Sequence, residues 1–184
     1  TRFTLDLVSG NLQLSNVFGA TGMTYFSFSD ILGDHQIAFG TEMVLTLENS
    51  DYFFQYGYLK NRLDYYFTGF QNANFFQVDY WSLVRLRHYG IQTSISHPFS
   101  RFQRMDYGLS WHNINYTRLV QGYNTFGQVE YFPEEDSTYS TILPSLSWVF
   151  DNSVYGFTGP IDGFRKNTTI TLSPGYGSNK LKFQ

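Results

Sequence analysis

The chain has 184 residues, a formal net charge of −3 and no cysteine. A slightly acidic chain without a run of Lys and Arg argues against nucleic-acid binding, and the lack of cysteine excludes disulfide bonds and thiolate metal sites. Mean hydropathy is −0.29, and no apolar run approaches the roughly 18 residues that a transmembrane helix needs. Aromatic residues make up 20% of the chain, which is typical of the aromatic girdles of membrane β-barrels. An aromatic-rich soluble β-sandwich is the alternative.

The N-terminal segment alternates apolar and polar residues and predicts a first strand at residues 3–14. Leu5 and Leu7 share one parity, whereas Leu12 has the other. A β-bulge shifts the alternation of a strand by one residue, and glycine often marks such a site. We therefore predict a bulge near Gly10.

The longest alternation in the chain follows a predicted strand at residues 22–30 and a tight turn at residues 32–34. The odd positions from Ile37 to Leu47 are mostly large and apolar, and the even positions between them are mostly small or polar. This period of two predicts a strand at residues 35–47, and the pattern restarts at residues 51–59. Strands of this length match the roughly 9–11 tilted residues that cross a bilayer.

The remaining strands are predicted from the same alternation at residues 62–70, 86–97, 102–117, 138–150, 163–173 and 176–184. Between them, residues 71–84 and 118–136 are predicted as long loops, whereas the turns near Gly33, Asn61 and Ser100 are short. Transmembrane barrels have short periplasmic turns and longer extracellular loops. The connections therefore predict a periplasmic N-terminus and a first strand that runs outward.

Three stretches carry a family pattern. In FSFSDILGDHQIAFG two strands flank a tight Leu-Gly-Asp turn, and in YGIQTSISHPFSRFQRMDYGLSW a strand ends in Pro-Phe before the next begins. In LSWVFDNSVYGFTGPIDGFRKNTTITLSP a Gly-Pro and a Gly separate two strands. Together they resemble the membrane barrel of the bacterial surface antigen family, which includes the BamA-like assembly proteins. The resemblance implies an all-β, antiparallel, up-and-down transmembrane β-barrel of about sixteen strands. Residues 1–184 are then a single domain that supplies the first nine or ten.

The resemblance also implies a function and a location. Proteins of this type take part in the insertion or translocation of polypeptide or lipid at the outer membrane of Gram-negative bacteria. The implied partners are membrane lipid, lipopolysaccharide, and periplasmic domains or accessory proteins outside this chain, with no cofactor. The family's Val-Arg-Gly-Phe/Tyr lumenal motif has no match here, so its functional residues are not carried over. In the family the lateral seam involves the first strand, which makes Gly10 the seam candidate. The chain does not open with the pattern of a signal peptide, so we expect either that one was removed or that the chain begins inside a longer polypeptide. The abrupt start in a strand favours the second.

The polar residues of the predicted strands give a set of candidates for the barrel lumen. These are Glu42, Glu48, Asp106 and His112. They could bind an ion or transfer protons, although a water-filled lumen needs polar side chains in any case. Asp106, Ser110 and His112 also resemble a nucleophilic set. Alternate residues of one strand lie roughly 6–7 Å apart, however, and this separation argues against direct hydrogen bonds between them. The four histidines lack metal-ligand spacing, and the sequence predicts no enzymatic activity.

A second set of candidates lies in the predicted periplasmic hairpin, and its members are Asp151, Gly159, Pro160, Gly163 and Arg165. Arg165 is expected to face the lumen and to pair with Asp151 or Asp162, and the alternative is a solvated charge of the turn. The acidic run from Glu134 to Asp136 is expected to be solvated or to bind divalent cations that bridge lipopolysaccharide.

Two other functions remain open. One is a small self-contained barrel that acts as an adhesin or anchor. The other is a small outer-membrane enzyme acting on lipid, which a lumenal Ser/His pair across adjacent strands would favour.

Overall fold

The computed structural model describes residues 2–15, 19–43, 49–127, 129–157, 159–174 and 181–183. Within these ranges the protein is all-β and contains no α-helix. None of the described segments is therefore a helix with the length and apolarity needed to span a membrane.

Twelve strands occur in the described part of the chain. They are β1 Phe3–Ser15, β2 Gly19–Asp30, β3 His35–Met43, β4 Asp51–Tyr58, β5 Asp64–Asp79, β6 Ser82–Pro98, β7 Gln103–Tyr123, β8 Val129–Asp151, β9 Val154–Tyr155, β10 Pro160–Asp162, β11 Arg165–Pro174 and β12 Leu181–Phe183. Ten of them form one antiparallel sheet in the order β1-β2-β3-β4-β5-β6-β7-β8-β11-β12, and β9 pairs with β10 separately. The predicted all-β, antiparallel, up-and-down arrangement is confirmed. The sheet is open, with β1 and β12 at opposite edges of the described strands.

The register of the sheet sorts the side chains onto two faces. Residues paired across antiparallel strands share a face, as Ile91, Trp111 and Ile142 do on β6, β7 and β8. We call this side the apolar face. Its exposed large side chains include Val8, Phe39, Phe54, Phe67, Ile91, Ile95, Leu109, Trp111, Ile142, Leu146, Trp148 and Ile170. The opposite side, where Gln92 pairs with Ser110, is the polar face.

The bulge in β1 lies nearer the N-terminus than the sequence predicts. The register shifts between Leu5 and Leu7, whereas Gly10 pairs regularly with Thr24. The prediction near Gly10 was wrong because it assigned Leu7 to the same face as Leu5. In the structure Leu7 pairs beside Ser27 on the polar face, and Val8 returns to the apolar face.

Two predicted loops are strands. Residues 71–84 continue β5 and β6 into a tight turn at Tyr80–Trp81, and residues 118–136 continue β7 and β8 towards a turn at residues 124–127. The loop predictions were wrong because these segments are rich in Asn and charged residues, which usually disfavour strands. Here their side chains bond to neighbouring strands, and the ladder continues.

The predicted strand ends also differ. β11 begins at Arg165 and pairs with β8 from Asp151. The predicted strand at residues 176–184 corresponds to the short β12, which pairs with residues 172–174. Residues 44–47 of the predicted third strand, residues 175–180 and residue 184 lie outside the described residues.

Candidate functional site

The apolar face carries a band of exposed side chains that crosses the sheet. Leu109 is 52% exposed and Ile91 is 44% exposed. Exposed apolar area of this extent is unusual on a protein surface that contacts only water. Trp111 lies at one margin of the band, and its indole Nε1 donates a hydrogen bond to Ser140 Oγ at 2.8 Å. The apolar part of the Trp111 ring therefore faces the band, and its N–H faces the polar residues beyond the band.

That next zone, on the same face, is a polar network centred on Asn115. Asn115 Nδ2 donates to Asp136 Oδ1 at 2.8 Å and to Thr138 Oγ1 at 3.1 Å. Its Oδ1 accepts hydrogen bonds from Arg87 and Thr117. Asn115 and Thr117 are 8% and 2% exposed, and buried polar groups of this kind require such partners. The apolar band therefore ends abruptly at the level of Trp111.

On the polar face, Asp106 is held in a polar cavity of about 330 Å³. Its carboxylate accepts a hydrogen bond from Ser96 Oγ at 2.6 Å and lies 3.2 Å from Arg104 Nε. The wall also contains Asp64 and Tyr66 from β5. The cavity therefore presents hydroxyl groups and an Arg–Asp ion pair to a small polar molecule.

The other predicted lumenal residues do not join Asp106. Glu42 lies on the polar face, but it lines a separate cavity of about 270 Å³ with Tyr25 and Phe53. Glu48 lies outside the described residues. Groups of three or more His, Asp or Glu side chains that could hold a metal ion are absent from the described ranges.

A second cluster on the polar face joins Ser110 and His112 to His88. Ser110 Oγ lies 2.9 Å from His112 Nε2, and His112 Nδ1 lies 2.9 Å from His88 Nε2. The sequence argument that alternate strand residues are too far apart for a hydrogen bond was wrong, because the imidazole ring reaches along the strand. Sequence reasoning missed His88. The turn after Pro98 sets the register between β6 and β7. Counted back from this turn, Gly90 on β6 pairs with His112 on β7, and His88 is therefore a diagonal neighbour of His112.

The connection between β8 and β11 holds the candidate hairpin residues. Arg165 Nε lies 3.5 Å from Asp151 Oδ2, and the two residues are partners in the β8–β11 pairing. Ser153 N donates to Asp151 Oδ1 at 3.1 Å. Hydrogen bonds from the hydroxyl and the backbone N–H of Ser153 lower the pKa of Asp151, and the Arg165 charge lowers it further.

The glycines of this connection have conformational roles. Gly163 has φ +85°, and a Cβ there would collide with the backbone of Asn152. The same Asn152 accepts a hydrogen bond from Phe164 N at 2.8 Å. Gly159, with φ +149°, accepts a hydrogen bond from Gly156 N and precedes Pro160, the first residue of β10. These backbone conformations and hydrogen bonds hold the connection between β8 and β11 in a compact hairpin.

Comparison of the chain with models of protein families, with curated proteins and with solved structures finds no match. The two faces of the sheet and the polar clusters are therefore the features that bear on function.

Proposed function

We propose that this chain forms part of the wall of an outer-membrane β-barrel, with its apolar face against lipid and its polar face lining the lumen. The observation that carries the proposal is the exposed apolar band across the sheet. Alternation of lipid-facing apolar and lumen-facing polar residues is the pattern of transmembrane barrels. In a soluble sandwich a second sheet would cover such a face.

The aromatic borders of the band support this placement. From Met105 to Trp111, β7 advances roughly 20 Å along its own axis at about 3.4 Å per residue, or about 15 Å along the membrane normal for a strand tilted by roughly 40°. The apolar belt of an outer-membrane barrel is bordered by aromatic girdles. Trp111 and Tyr89, whose ring centroids lie 6.0 Å apart, border the band at one end. Trp148 borders it near the other end, where Lys166 Nζ lies 5.6 Å from the ring centroid.

On this proposal, further strands pair with the open edges of the sheet to close the barrel. An unpaired strand edge in lipid costs several kcal/mol for each unsatisfied backbone group. The resemblance to the surface antigen family implies a total of about sixteen strands. The three stretches that carry the resemblance centre on the β2–β3, β6–β7 and β8–β11 connections. These connections all lie at one end of the sheet.

On this basis the proposed activity is the BamA-like insertion or translocation of polypeptide or lipid at the outer membrane of a Gram-negative bacterium. The proposed partners are membrane lipid, lipopolysaccharide, and periplasmic domains or accessory proteins outside the chain. Gly10 lies in the edge strand β1, which keeps it a candidate for the lateral seam.

Site-directed spin labelling tests the membrane placement, and the absence of cysteine makes single-cysteine variants straightforward. Labels at positions 95 and 146, on the apolar face, should collide more often with oxygen dissolved in lipid. Labels at positions 94 and 147, on the polar face, should collide more often with a water-soluble nickel chelate. Equal access of the nickel chelate to both faces in native outer membranes would refute the proposal.

A reconstitution assay tests the proposed activity. The full-length protein is placed in vesicles of outer-membrane lipid, and the rate at which an unfolded β-barrel substrate inserts is compared with the rate in empty vesicles. We expect faster insertion in the loaded vesicles. Equal rates, with correct placement by spin labelling, would leave a barrel that does not assemble others.

A further inference from the structure

The cluster of Ser110, His112 and His88 on the polar face has the connectivity of a nucleophilic site. His112 uses both ring nitrogens: Nε2 lies 2.9 Å from Ser110 Oγ, and Nδ1 lies 2.9 Å from His88 Nε2. A base in contact with a nucleophile, oriented by a third group on its other nitrogen, is the recurring geometry of serine hydrolases. Here a second histidine occupies the position of the orienting group.

The neighbouring strands fix the two imidazoles. Phe70 on β5 contacts both rings, with centroid distances of 5.0 Å to His88 and 5.6 Å to His112. The Phe70 ring lies over Gly90, where an added Cβ would meet two ring atoms at 3.0 and 3.3 Å. Glycine at position 90 therefore leaves the space in which this ring packs. All three side chains of the cluster are partly exposed, so a substrate can reach them from the polar face.

The two cross-strand neighbours of Ser110 differ in chemistry. Gln92 is its partner on β6, and Leu143 is its partner on β8. Directly opposed side chains have Cβ atoms about 5 Å apart. The Gln92 amide can therefore donate a hydrogen bond beside the hydroxyl, as amide side chains do in oxyanion holes. The Leu143 side chain and Phe70 offer an apolar surface to an acyl chain.

We propose that this cluster is a hydrolytic site for short-chain carboxylic esters, with Ser110 as nucleophile and His112 as general base. Ser110 Oγ attacks the ester carbonyl while its proton passes to His112 Nε2. The tetrahedral intermediate collapses, the alkoxide leaves with the proton from His112, and an acyl-serine remains. Water then attacks the acyl-serine, His112 again carries the proton, and the free acid is released. His88 is a positioning residue that holds His112 Nδ1–H.

The location of the Ser110 cluster indicates which class of ester can reach it. Ser110 lies on the polar face, away from the exposed apolar band that the proposed function assigns to lipid. A substrate must therefore arrive through water, which favours a soluble short-chain ester over a membrane phospholipid. The activity is independent of polypeptide insertion, and its failure would leave the proposed function unaffected.

A purely structural hydrogen-bond chain is the competing explanation. Ser110 Oγ also lies 3.3 Å from the backbone carbonyl oxygen of Leu143. If Ser110 donates to that carbonyl, His112 Nε2–H donates to Ser110 and the hydroxyl is not activated. The contact with His112 is shorter than the contact with the carbonyl, and the proposal assigns the Ser110 proton to His112.

A fluorophosphonate probe separates the two explanations, because it reacts with activated serines and loses fluoride. Wild-type full-length protein in detergent should gain one adduct, located on Ser110 by peptide mass spectrometry. Ser110→Ala should abolish the adduct. Ser94→Ala, which removes a hydroxyl from the same face of β6, should label like the wild type. An unlabelled wild-type protein, or an adduct on another residue, would overturn the proposal.

Hydrolysis of p-nitrophenyl butyrate tests the roles of the histidines. His112→Gln should lower the rate about 10²–10⁴-fold, the usual contribution of a general base. In wild type the rate should rise with pH as His112 loses its proton, and this dependence should vanish in the variant. His88→Leu should also lower the rate, whereas His88→Asp should restore it, because a carboxylate can accept from Nδ1–H. Equal rates in His88→Leu and His88→Asp would refute positioning by His88. Release of fatty acid from phospholipid vesicles, without butyrate hydrolysis, would refute the assigned substrate class.

Discussion

The apolar face has two regions on the same strands, and they have opposite chemistry. In the first region Leu109 is 52% exposed, whereas in the second, eight residues further along β7, Thr117 is 2% exposed. The backbone pairing with β6 and β8 continues through both. The backbone hydrogen-bond ladder therefore does not change at the boundary between the two regions. Only the polarity of the side chains distinguishes them.

The two regions suit two different solvents. Apolar area left in water costs roughly 25 cal/mol per Å², so the exposed band is stabilised by an apolar surrounding. The Asn115 network instead gives the buried Asn115 amide and the Thr117 hydroxyl hydrogen-bond partners within the sheet. On the proposed placement, the girdle of Tyr89 and Trp111 marks the outer surface of the membrane, and the second region projects beyond it.

The largest effect is expected from a charge in the middle of the band. Leu109→Arg should destabilise the protein in lipid vesicles by about 2–4 kcal/mol, as charged residues do near the bilayer midplane. Gln77→Arg, on the same face of β5 but in the outer region, should have little effect. Urea titrations of folded protein in vesicles measure both. Equal destabilisation by the two variants would show that the two regions of the apolar face do not lie in different surroundings.

A smaller effect is expected from loss of the polar network. Asn115→Ala removes the partner of Asp136, Thr138 and Arg87, and the groups left buried should cost roughly 2 kcal/mol. Asn74→Ala, an exposed residue of β5, serves as the control. The free energy of unfolding of each variant is the measurement. A neutral Asn115→Ala would show that water replaces the network readily.

The next prediction concerns the polar face, at the level of the margin between the two regions. An alanine at Gly90 would place its Cβ against the Trp111 carbonyl oxygen and the Phe70 ring, and such overpacking should cost about 1–2 kcal/mol. At Gly69, on the other face, no atom lies within 4 Å of an added Cβ. Gly69→Ala should therefore change stability by less than about 0.5 kcal/mol. Unfolding titrations of the two variants measure the contrast, and equal stabilities would remove the role of Gly90.

The smallest effect is expected at the opposite end of the sheet, where Asp151 has a lowered pKa. A carboxyl group whose pKa is lower in the folded state stabilises the fold above its unfolded pKa of about 3.9. That contribution is lost as the pH falls through the lower folded value. Asp151→Asn should therefore unfold at a lower urea midpoint than wild type at pH 7, and the difference should shrink below about pH 4. A difference that is constant with pH would exclude the carboxylate charge as its cause.

The sequence predicted the sheet because a period of two is local information. The alternation around Ile37 and Phe39 was enough to predict strands and to sort their faces. The outer region was misread as loops because the polarity of residues such as Arg118 and Asp136 is satisfied by residues of neighbouring strands, which local patterns do not reveal. The contact between His88 and His112 likewise depends on the register of a hairpin, and His88 alone carried no signal.

The outer part of β8 has a consequence for how molecules meet at a crowded surface. Residues 129–144 pair with β7 on one side, and among the described residues β11 pairs with β8 only at residues 145–151. Where a strand edge meets neighbouring molecules, backbone groups without partners recruit a further strand. Pro133 and Pro144 have no N–H to offer such a strand, and Glu135 adds a carboxylate beside Pro133. On the proposed placement, these residues would weaken edge-to-edge pairing between adjacent molecules along this part of β8.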